Sequence, residues 1–322
     1  MDLSDTVELT VGARWYDIEV DFEGSANSSF GNGFGNTDQQ KFGSNLSAQY
    51  APGNPNGYPD VAKSDGVIGK ATLAWNKSED VMYYVTWSEG FRPGLLNRPV
   101  GSSNADGTYT VKPEVKSDEV TNLEFGWKTV LQDGRLRFNG SAFMVDVSGL
   151  QSTIFDPSIV NLFFSDNAAD ADITGVEGDF IYYTNIDGLV VSGAFSSLDT
   201  EITKSLVPTD DVVVGSDLAF APGSQANLTV RKEWGMSSGK VGHFQLQMSR
   251  SAKSFSDIMA PNKAVQKSNH FLNMRYGMSN DEWNAELYID NVTDKRAEIS
   301  NTFVFDRSRL TVIKPRTLGL RY

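Results

Sequence analysis

Val120-Thr121-Asn122-Leu123-Glu124-Phe125-Gly126-Trp127-Lys128-Thr129 changes character at almost every residue. Leu123, Phe125 and Trp127 fall on one face, and Asn122, Glu124 and Lys128 fall on the other. That period of two marks a β-strand with one apolar and one polar side. The pattern recurs outward in both directions. Val67, Ala71, Leu73 and Trp75 oppose Lys70, Thr72 and Asn76; Phe244, Leu246 and Met248 oppose Gln245, Gln247 and Ser249. Leu272, Met274 and Tyr276 oppose Asn273 and Arg275, and Trp283, Ala285, Leu287 and Ile289 oppose Asn284, Glu286 and Asp290. The alternation predicts strands near 7–23, 66–76, 81–90, 118–130, 135–148, 173–184, 189–200, 225–234, 241–250, 269–278, 283–292 and 316–322. Helical periodicity is convincing nowhere.

The connections carry a second signal. Lys77-Ser78-Glu79-Asp80, Leu131-Gln132-Asp133-Gly134, Asn185-Ile186-Asp187-Gly188, Gly235 to Lys240 and Ser279-Asn280-Asp281-Glu282 are polar turns four to six residues long. Between them run connections of 18 to 42 residues, at 24–65, 91–117, 149–172, 201–224, 251–268 and 293–315. Short and long alternate without exception. Antiparallel strands send alternate connections to opposite ends, so one end is trimmed and the other elaborated, as in a bacterial outer-membrane barrel. Aromatic residues near strand ends (Trp15, Tyr16, Trp75, Tyr83, Tyr84, Trp87, Trp234, Trp283) suit a headgroup boundary, apolar on one side and wet at the tip. The polar faces carry Lys70, Glu124, Lys128, Glu177, Asp179, Arg231, Glu233, Arg275 and Glu286, more charge than a dry core accepts. A large soluble β-sandwich or propeller also alternates, but seldom keeps every second connection this short.

The 322 residues carry 28 Lys+Arg against 41 Asp+Glu, a net charge of −13, and no Cys. That field disfavours nucleic acid as a partner, and the missing Cys excludes disulfides and thiolate metal sites. No run of about 18 apolar residues crosses a membrane as a helix, and Met1-Asp2-Leu3-Ser4-Asp5 does not open a signal peptide. Mean hydropathy is that of a soluble protein, as expected when lipid-facing and lumen-facing halves are averaged with long polar loops.

Several segments resemble the C-terminal β-barrel of TonB-dependent outer-membrane receptors. Tyr83-Tyr84-Val85-Thr86-Trp87-Ser88-Glu89-Gly90-Phe91-Arg92-Pro93-Gly94 is similar to the family's strand-and-loop signature. It is followed in order by Pro113-Glu114 through Glu119 and by Asn122, Glu124, Gly126 and Lys128. Next come Asp146-Val147-Ser148-Gly149-Leu150-Gln151, Gly175-Val176-Glu177-Gly178, Asp290-Asn291-Val292-Thr293-Asp294-Lys295-Arg296 and Pro315-Arg316-Thr317-Leu318-Gly319-Leu320. The resemblance implies an all-β fold: an antiparallel transmembrane β-barrel of which residues 1–322 supply about 12 strands. These resemble the last half of the 22-stranded, plugged barrels of outer-membrane transporters. Neither a plug domain nor a TonB box is found, so a truncated receptor or gene fragment is expected. The location implied is the outer membrane of a Gram-negative bacterium. The partners implied are outer-membrane lipid, an extracellular nutrient ligand such as a ferric siderophore, barrel-assembly machinery, and the TonB energy-coupling complex acting through the missing plug.

On this resemblance Phe91 and Arg92, at the top of a strand entering a long loop, are the ligand-binding candidates. Their alternative roles are packing at the aromatic girdle and anchoring of the loop. Arg98, Tyr109 and Phe155 are weaker candidates. Trp75, Tyr83, Trp87, Trp234 and Trp283 are expected at the membrane interface, and Leu318, Leu320 and terminal Tyr322 form a C-terminal assembly signal. No catalytic residue, metal site or cofactor is expected. His243 and His270 stand on different strands without a metal-ligand spacing. Gly31-Asn32-Gly33-Phe34-Gly35 precedes no helix, and Asp166, Asp170 and Asp172, placed in a loop, lack an EF-hand's ligand order. Other readings remain: a surface or soluble β-protein binding glycans through its loops, or a self-closed barrel serving as a passive pore or adhesin.

Overall fold

The computed structural model describes residues 1–21, 61–97, 111–155, 163–207, 211–304 and 307–322. Gly31 to Gly35, Arg98 and Tyr109 lie outside the described residues, as does the side chain of Phe155. In chain order the strands are β1 (Asp2–Ser4), β2 (Val7–Asp21), β3 (Val61–Ser78), β4 (Val81–Arg92), β5 (Leu95–Leu96), β6 (Glu114–Val115) and β7 (Asp118–Leu131). They continue with β8 (Leu136–Phe155), β9 (Phe163–Tyr183), β10 (Leu189–Ser205), β11 (Ser224–Gly235), β12 (Val241–Ser251), β13 (Ser254–Phe255) and β14 (Val265–Gln266). The last five are β15 (Asn269–Ser279), β16 (Asn284–Asp290), β17 (Glu298–Val304), β18 (Arg307–Val312) and β19 (Thr317–Arg321).

Thirteen of them form one antiparallel sheet in the order β1-β2-β3-β4-β7-β8-β9-β10-β11-β12-β15-β16-β19. Each of the twelve expected strands is present, joined by the expected short turns at one end. The three pairs β5/β6, β13/β14 and β17/β18 are small ribbons within the long connections at the other end. Among the described residues the only helical pieces are two three-residue 3₁₀ turns.

One expectation is corrected. Residues 149–172 were read as a loop, yet β8 runs to Phe155 and β9 starts at Phe163, so Asp166, Asp170 and Asp172 are strand residues. Two things hid the strand. The register slips between Val147 and Gln151, with Gly149 in the left-handed region at φ 68°, so the alternation breaks at a bulge. The acidic residues, which locally favour turns, are satisfied by remote groups: Lys112 Nζ lies 3.2 Å from Asp166 Oδ1, and Gly149 N–H donates to Asp170 Oδ1 at 2.8 Å.

Direct pairing places partner residues on one face, so the sheet has lateral rows. One outer row runs Leu73, Val85, Phe125, Ala142 and Val176; another runs Met274, Ile289 and Leu318. The outer face is exposed and apolar, with Trp15 70% and Leu318 73% accessible. Towards the short turns its rings form a chain: Trp75 to Tyr83 at 5.8 Å, Phe125 to Trp127 at 6.3 Å, Trp127 to Phe138 at 5.7 Å. Trp234 to Tyr276 at 6.2 Å and Trp283 to Tyr322 at 6.5 Å continue it. Val67, the partner of Trp15, is 75 − 67 = 8 residues from Trp75 on β3. At about 3.3 Å per residue and a tilt near 40°, that spans roughly 20 Å, close to the height of a barrel's apolar band.

Glycine has a specific use in this sheet. Tyr84, Trp127, Phe143, Phe180, Phe195, Trp234, His243 and Tyr288 each pair directly with a glycine: Gly126, Gly140, Gly175, Gly193, Gly178, Gly242, Gly277 and Gly319. A Cβ added at any of these positions would fall within 3.0 Å of the paired ring. The ring lies across the neighbouring strand in the space that the missing side chain leaves. The chain's packed apolar core lies elsewhere, at the loop end, where Val111, Ile154, Phe164, Ile202, Val207, Val212, Ile258 and Met259 cluster.

If the outer rows face lipid, Phe125→Arg is expected to lower stability in a bilayer by about 2–4 kcal/mol. Asn227→Arg, on the opposite face, is expected to change it by less than about 0.5 kcal/mol. Equal effects in urea titrations of vesicle-inserted protein would contradict the assignment of faces.

Candidate functional site: the inner wall and its loop anchors

The face opposite the apolar rows carries polar and charged groups on strand after strand, with the apolar Phe143, Val145 and Ile173 among them. Tyr84 Oη donates to Glu124 Oε1 at 2.5 Å. Further along, Arg231 Nε donates to Glu233 Oε1 at 2.8 Å and Nη1 to Gln245 Oε1 at 3.2 Å. Glu286 is the hub of the final strands. His243 Nε2 lies 3.2 Å from one of its oxygens, and Arg275 Nε and Arg321 Nη1 each lie 3.7 Å from the other. Arg275 Nη2 also binds Asp290 Oδ1 at 2.5 Å, and both arginines stack over Tyr288, at 5.3 and 4.8 Å. Neighbouring charges of opposite sign let these groups sit on a wall from which much of the water is displaced. The wall bounds a cavity of about 810 Å³ lined by Tyr84, Lys128, Glu177, Asp179, Asn227 and Ser249 among others. Such a surface can hold polar cargo or a polar protein segment. His243, an expected strand residue, belongs to this wall.

At the loop end the motif segments converge on Asp118, whose side chain is 1% exposed. Arg92 is bound to it through the guanidinium and also donates its backbone N–H to Oδ1 at 3.0 Å. Gln151 N–H donates to Oδ2 at 3.2 Å, while its side-chain amide donates to the carbonyls of Pro93 and Lys116 at 3.0 and 2.8 Å. Gly94 N–H reaches Ser64 Oγ at 2.9 Å, and there a Cβ would stand 2.7 Å from the Val115 carbonyl. Thus Arg92-Pro93-Gly94, the Glu114 to Asp118 segment and Gly149-Leu150-Gln151, far apart in the chain, fasten the bases of two long connections to each other. Phe91 stacks on Tyr16 with ring centroids 3.6 Å apart, tying the same strand to β2.

A second anchor closes the last long connection. Asn291, in the left-handed region at φ 52°, donates its amide to the carbonyls of Lys295 and Lys314 at 2.8 and 3.0 Å and accepts from Lys295 N–H at 3.1 Å. Asp294 accepts from Arg316 N–H at 2.9 Å. The Asp290 to Arg296 and Pro315 to Leu320 motifs are therefore the two halves of one clamp.

The sequence singles out Arg92, places Glu286 on the polar face and carries Gln151 and Asn291 within motif segments, but assigns Asp118 and Asn291 no anchoring role. Nothing in the spacing announces the partners of Asp118, which lie 26 residues away in Arg92 and 33 in Gln151. Among the described residues no group of three or more His, Asp or Glu side chains is arranged to hold a metal ion.

Asp257, in the connection between β12 and β15, has its carboxyl raised above the ordinary carboxylate range by burial, against the opposing N–H donors of Met259 and Ile258 and the Asn262 side chain. A folded-state value above the unfolded one favours the folded loop at low pH and loses that contribution as pH rises through the folded value. Asp257→Asn is therefore expected to slow hydrogen exchange around Ile258 and Met259 at pH 7 but not at pH 3. Slower exchange at both values would contradict the assignment.

A family model described as TonB dependent receptor-like, beta-barrel matches residues 1–292. No curated protein matches the sequence significantly. Among solved structures, the ferric yersiniabactin uptake receptor FyuA from Yersinia pestis is similar with a TM-score of 0.71 at 18% identity, over 99% of this chain and 43% of that one. The siderophore receptor PiuA from Acinetobacter baumannii gives 0.67 at 17% identity, over 99% and 41%. The copper transporter OprC gives 0.67 at 12% identity, over 99% and 45%. At these identities the likeness concerns the fold, and the chain spans less than half the length of those receptors.

Proposed function

Because the chain belongs to the TonB-dependent receptor family through its β-barrel, we propose that it forms part of the wall of an outer-membrane receptor taking up a scarce nutrient. Barrels of this family are outer-membrane proteins of Gram-negative bacteria, and its members are receptors and transporters. The observation that carries the proposal is the two-faced sheet: apolar rows outside, a charged wall inside, trimmed turns at one end and fastened loops at the other. The proposed cargo is a ferric siderophore, the class named for FyuA and PiuA. Copper, the cargo named for OprC, is the second reading.

On this reading the loops and the upper inner wall meet the ligand, and energy reaches the barrel from the TonB complex through a plug. Phe91 and Arg92 serve the ligand indirectly, by fixing the loop bases through Tyr16 and Asp118. Trp75, Tyr83, Trp234 and Trp283 stand near the short-turn boundary of the apolar band, whereas Trp87, expected there too, pairs with Ala71 midway up the outer face. Leu318, Leu320 and Tyr322 present the terminal strand to the barrel-assembly machinery. The test is deletion of the reading frame that contains this chain, followed by uptake of radiolabelled iron from a panel of ferric siderophores, and of copper. Loss of one ferric chelate supports the siderophore reading. Loss of copper alone replaces it, and recovery of the protein in the aqueous fraction without detergent overturns the receptor reading.

A further inference from the structure

We infer that the cavity on the inner wall is a subsite for an uncharged, hydroxyl-rich group of the cargo, such as a sugar ring. Its readers are Gln225, Asn227, Ser249, Gln266, Asn269 and the ring of Phe271; as a cargo subsite it rests on the receptor reading above. The wall part follows from register. Gln225, Ser251 and Asn269 are direct partners across β11, β12 and β15, and Asn227, Ser249 and Phe271 form the next inward-facing rung. Ser196 on β10 extends the first of these rungs. All of them line the one cavity of about 810 Å³, a volume within the range of small-molecule sites.

Two long connections supply the rest of the lining. Phe220 and Pro222 precede β11, and Ser254 and Gln266 are direct partners across β13 and β14. Phe220 N–H donates to the Phe255 carbonyl at 2.7 Å, which joins the two connections. Gln266 is 7% exposed. Its Oε1 accepts from Ser254 Oγ at 2.8 Å, while its Nε2 meets no acceptor among the described residues. A buried amide donor left unmatched at the border of a cavity is satisfied by an oxygen of what the cavity holds. Phe220, 51% exposed, holds its backbone in the left-handed region at φ 55°, uncommon for a bulky residue, and brings a second ring to the cavity's border.

The composition of the lining sets the chemical class. Its charged residues are Lys128, Arg250 and Lys267 against Glu177, Asp179 and Glu298, so the formal charge is 3 − 3 = 0. No net field selects an anion or a cation. Five amide and five serine side chains supply most of the remaining polar groups, and each both donates and accepts. Hydroxyls do the same, so a ring of hydroxyls matches this mixed wall, and its C–H face fits against an aromatic ring such as Phe271. A peptide carries similar groups but draws its affinity from the main chain of a free sheet edge. Here β11 and β12 are paired along both edges.

The test uses the purified chain in lauryldimethylamine oxide, a detergent without sugar, read by saturation-transfer NMR. The probes are maltohexaose, cellohexaose, laminarihexaose and isomaltohexaose, with tetra-alanine as the peptide control. At least one hexaose is expected to bind, with an affinity that changes less than about twofold between about 0.05 and 0.5 M salt. Asn227→Leu and Gln266→Leu are each expected to weaken it about tenfold or more. Asn227 is exposed on the wall, so its variant tests the site independently of the packing around Gln266, and circular dichroism establishes that both are folded. Failure of every hexaose to bind, unchanged binding in Asn227→Leu, or a fall of about tenfold with salt overturns the subsite. Binding of tetra-alanine alone overturns the hydroxyl assignment in favour of a peptide. Recovery of the chain in the aqueous fraction without detergent overturns the receptor reading, whichever sugar binds. A chain that inserts into phosphatidylcholine vesicles and binds no hexaose overturns the subsite alone.

Discussion

Asp118→Ala is expected to unfasten the loop end of the barrel and to lower stability by about 2–4 kcal/mol. The carboxylate is 1% exposed and accepts from Arg92 through the backbone and the guanidinium and from Gln151 N–H. Its removal leaves two backbone donors without acceptors in a part-buried position. The magnitude stays below that of a fully buried ion pair because Arg92 is 54% exposed and regains water. Asp118→Asn keeps an oxygen acceptor and is expected to retain more of the stability than alanine does. Hydrogen exchange should accelerate together at Arg92 to Asn97 and at Gly149 to Gln151, because one carboxylate holds both. Acceleration of one segment alone would show that the two loop bases are not coupled.

Gly126→Val is expected to be as damaging, from within the sheet. A Cβ at Gly126 stands 2.1 Å from Cζ of Tyr84, whose hydroxyl is fixed by Glu124. The ring must swing away and give up that bond, for a combined cost of about 3–5 kcal/mol from overpacking and a lost charge-assisted hydrogen bond. Gly12→Val is the matched control, since nothing lies within 4 Å of its added Cβ, and it is expected to change stability by less than about 1 kcal/mol. Urea unfolding followed by tryptophan fluorescence measures both. Similar losses in the two variants would mean that valine is disfavoured in these strands generally, not that glycine makes room for rings.

The two experiments separate two kinds of legibility. Strand positions, their two faces and the rhythm of short and long connections could be read from the chain, because a period of two and a turn-forming tetrapeptide are local properties. Alternation failed where the backbone bulged at Gly149, so the extension of β8 and β9 above the sheet was read as loop. Tyr84 and Trp234 could be placed near strand ends, yet their partners Gly126 and Gly242 could not be seen. A glycine and its ring stand directly opposite each other only once the register between neighbouring strands is fixed.

The motif residues show the same division. Arg92 was visible as a charged side chain entering a long loop, which left ligand contact and loop anchoring equally open. The structure shows that the motif segments bind one another: Arg92 meets Asp118 and Gln151, and Asn291 meets Lys295 and Lys314. The chain by itself therefore determined the class of fold, its two solvents and its two unequal ends, since each is written in residues close together. Which carboxylate closes which loop was decided by tertiary structure alone. Those contacts join residues dozens of positions apart, and their energies depend on burial that no single segment possesses.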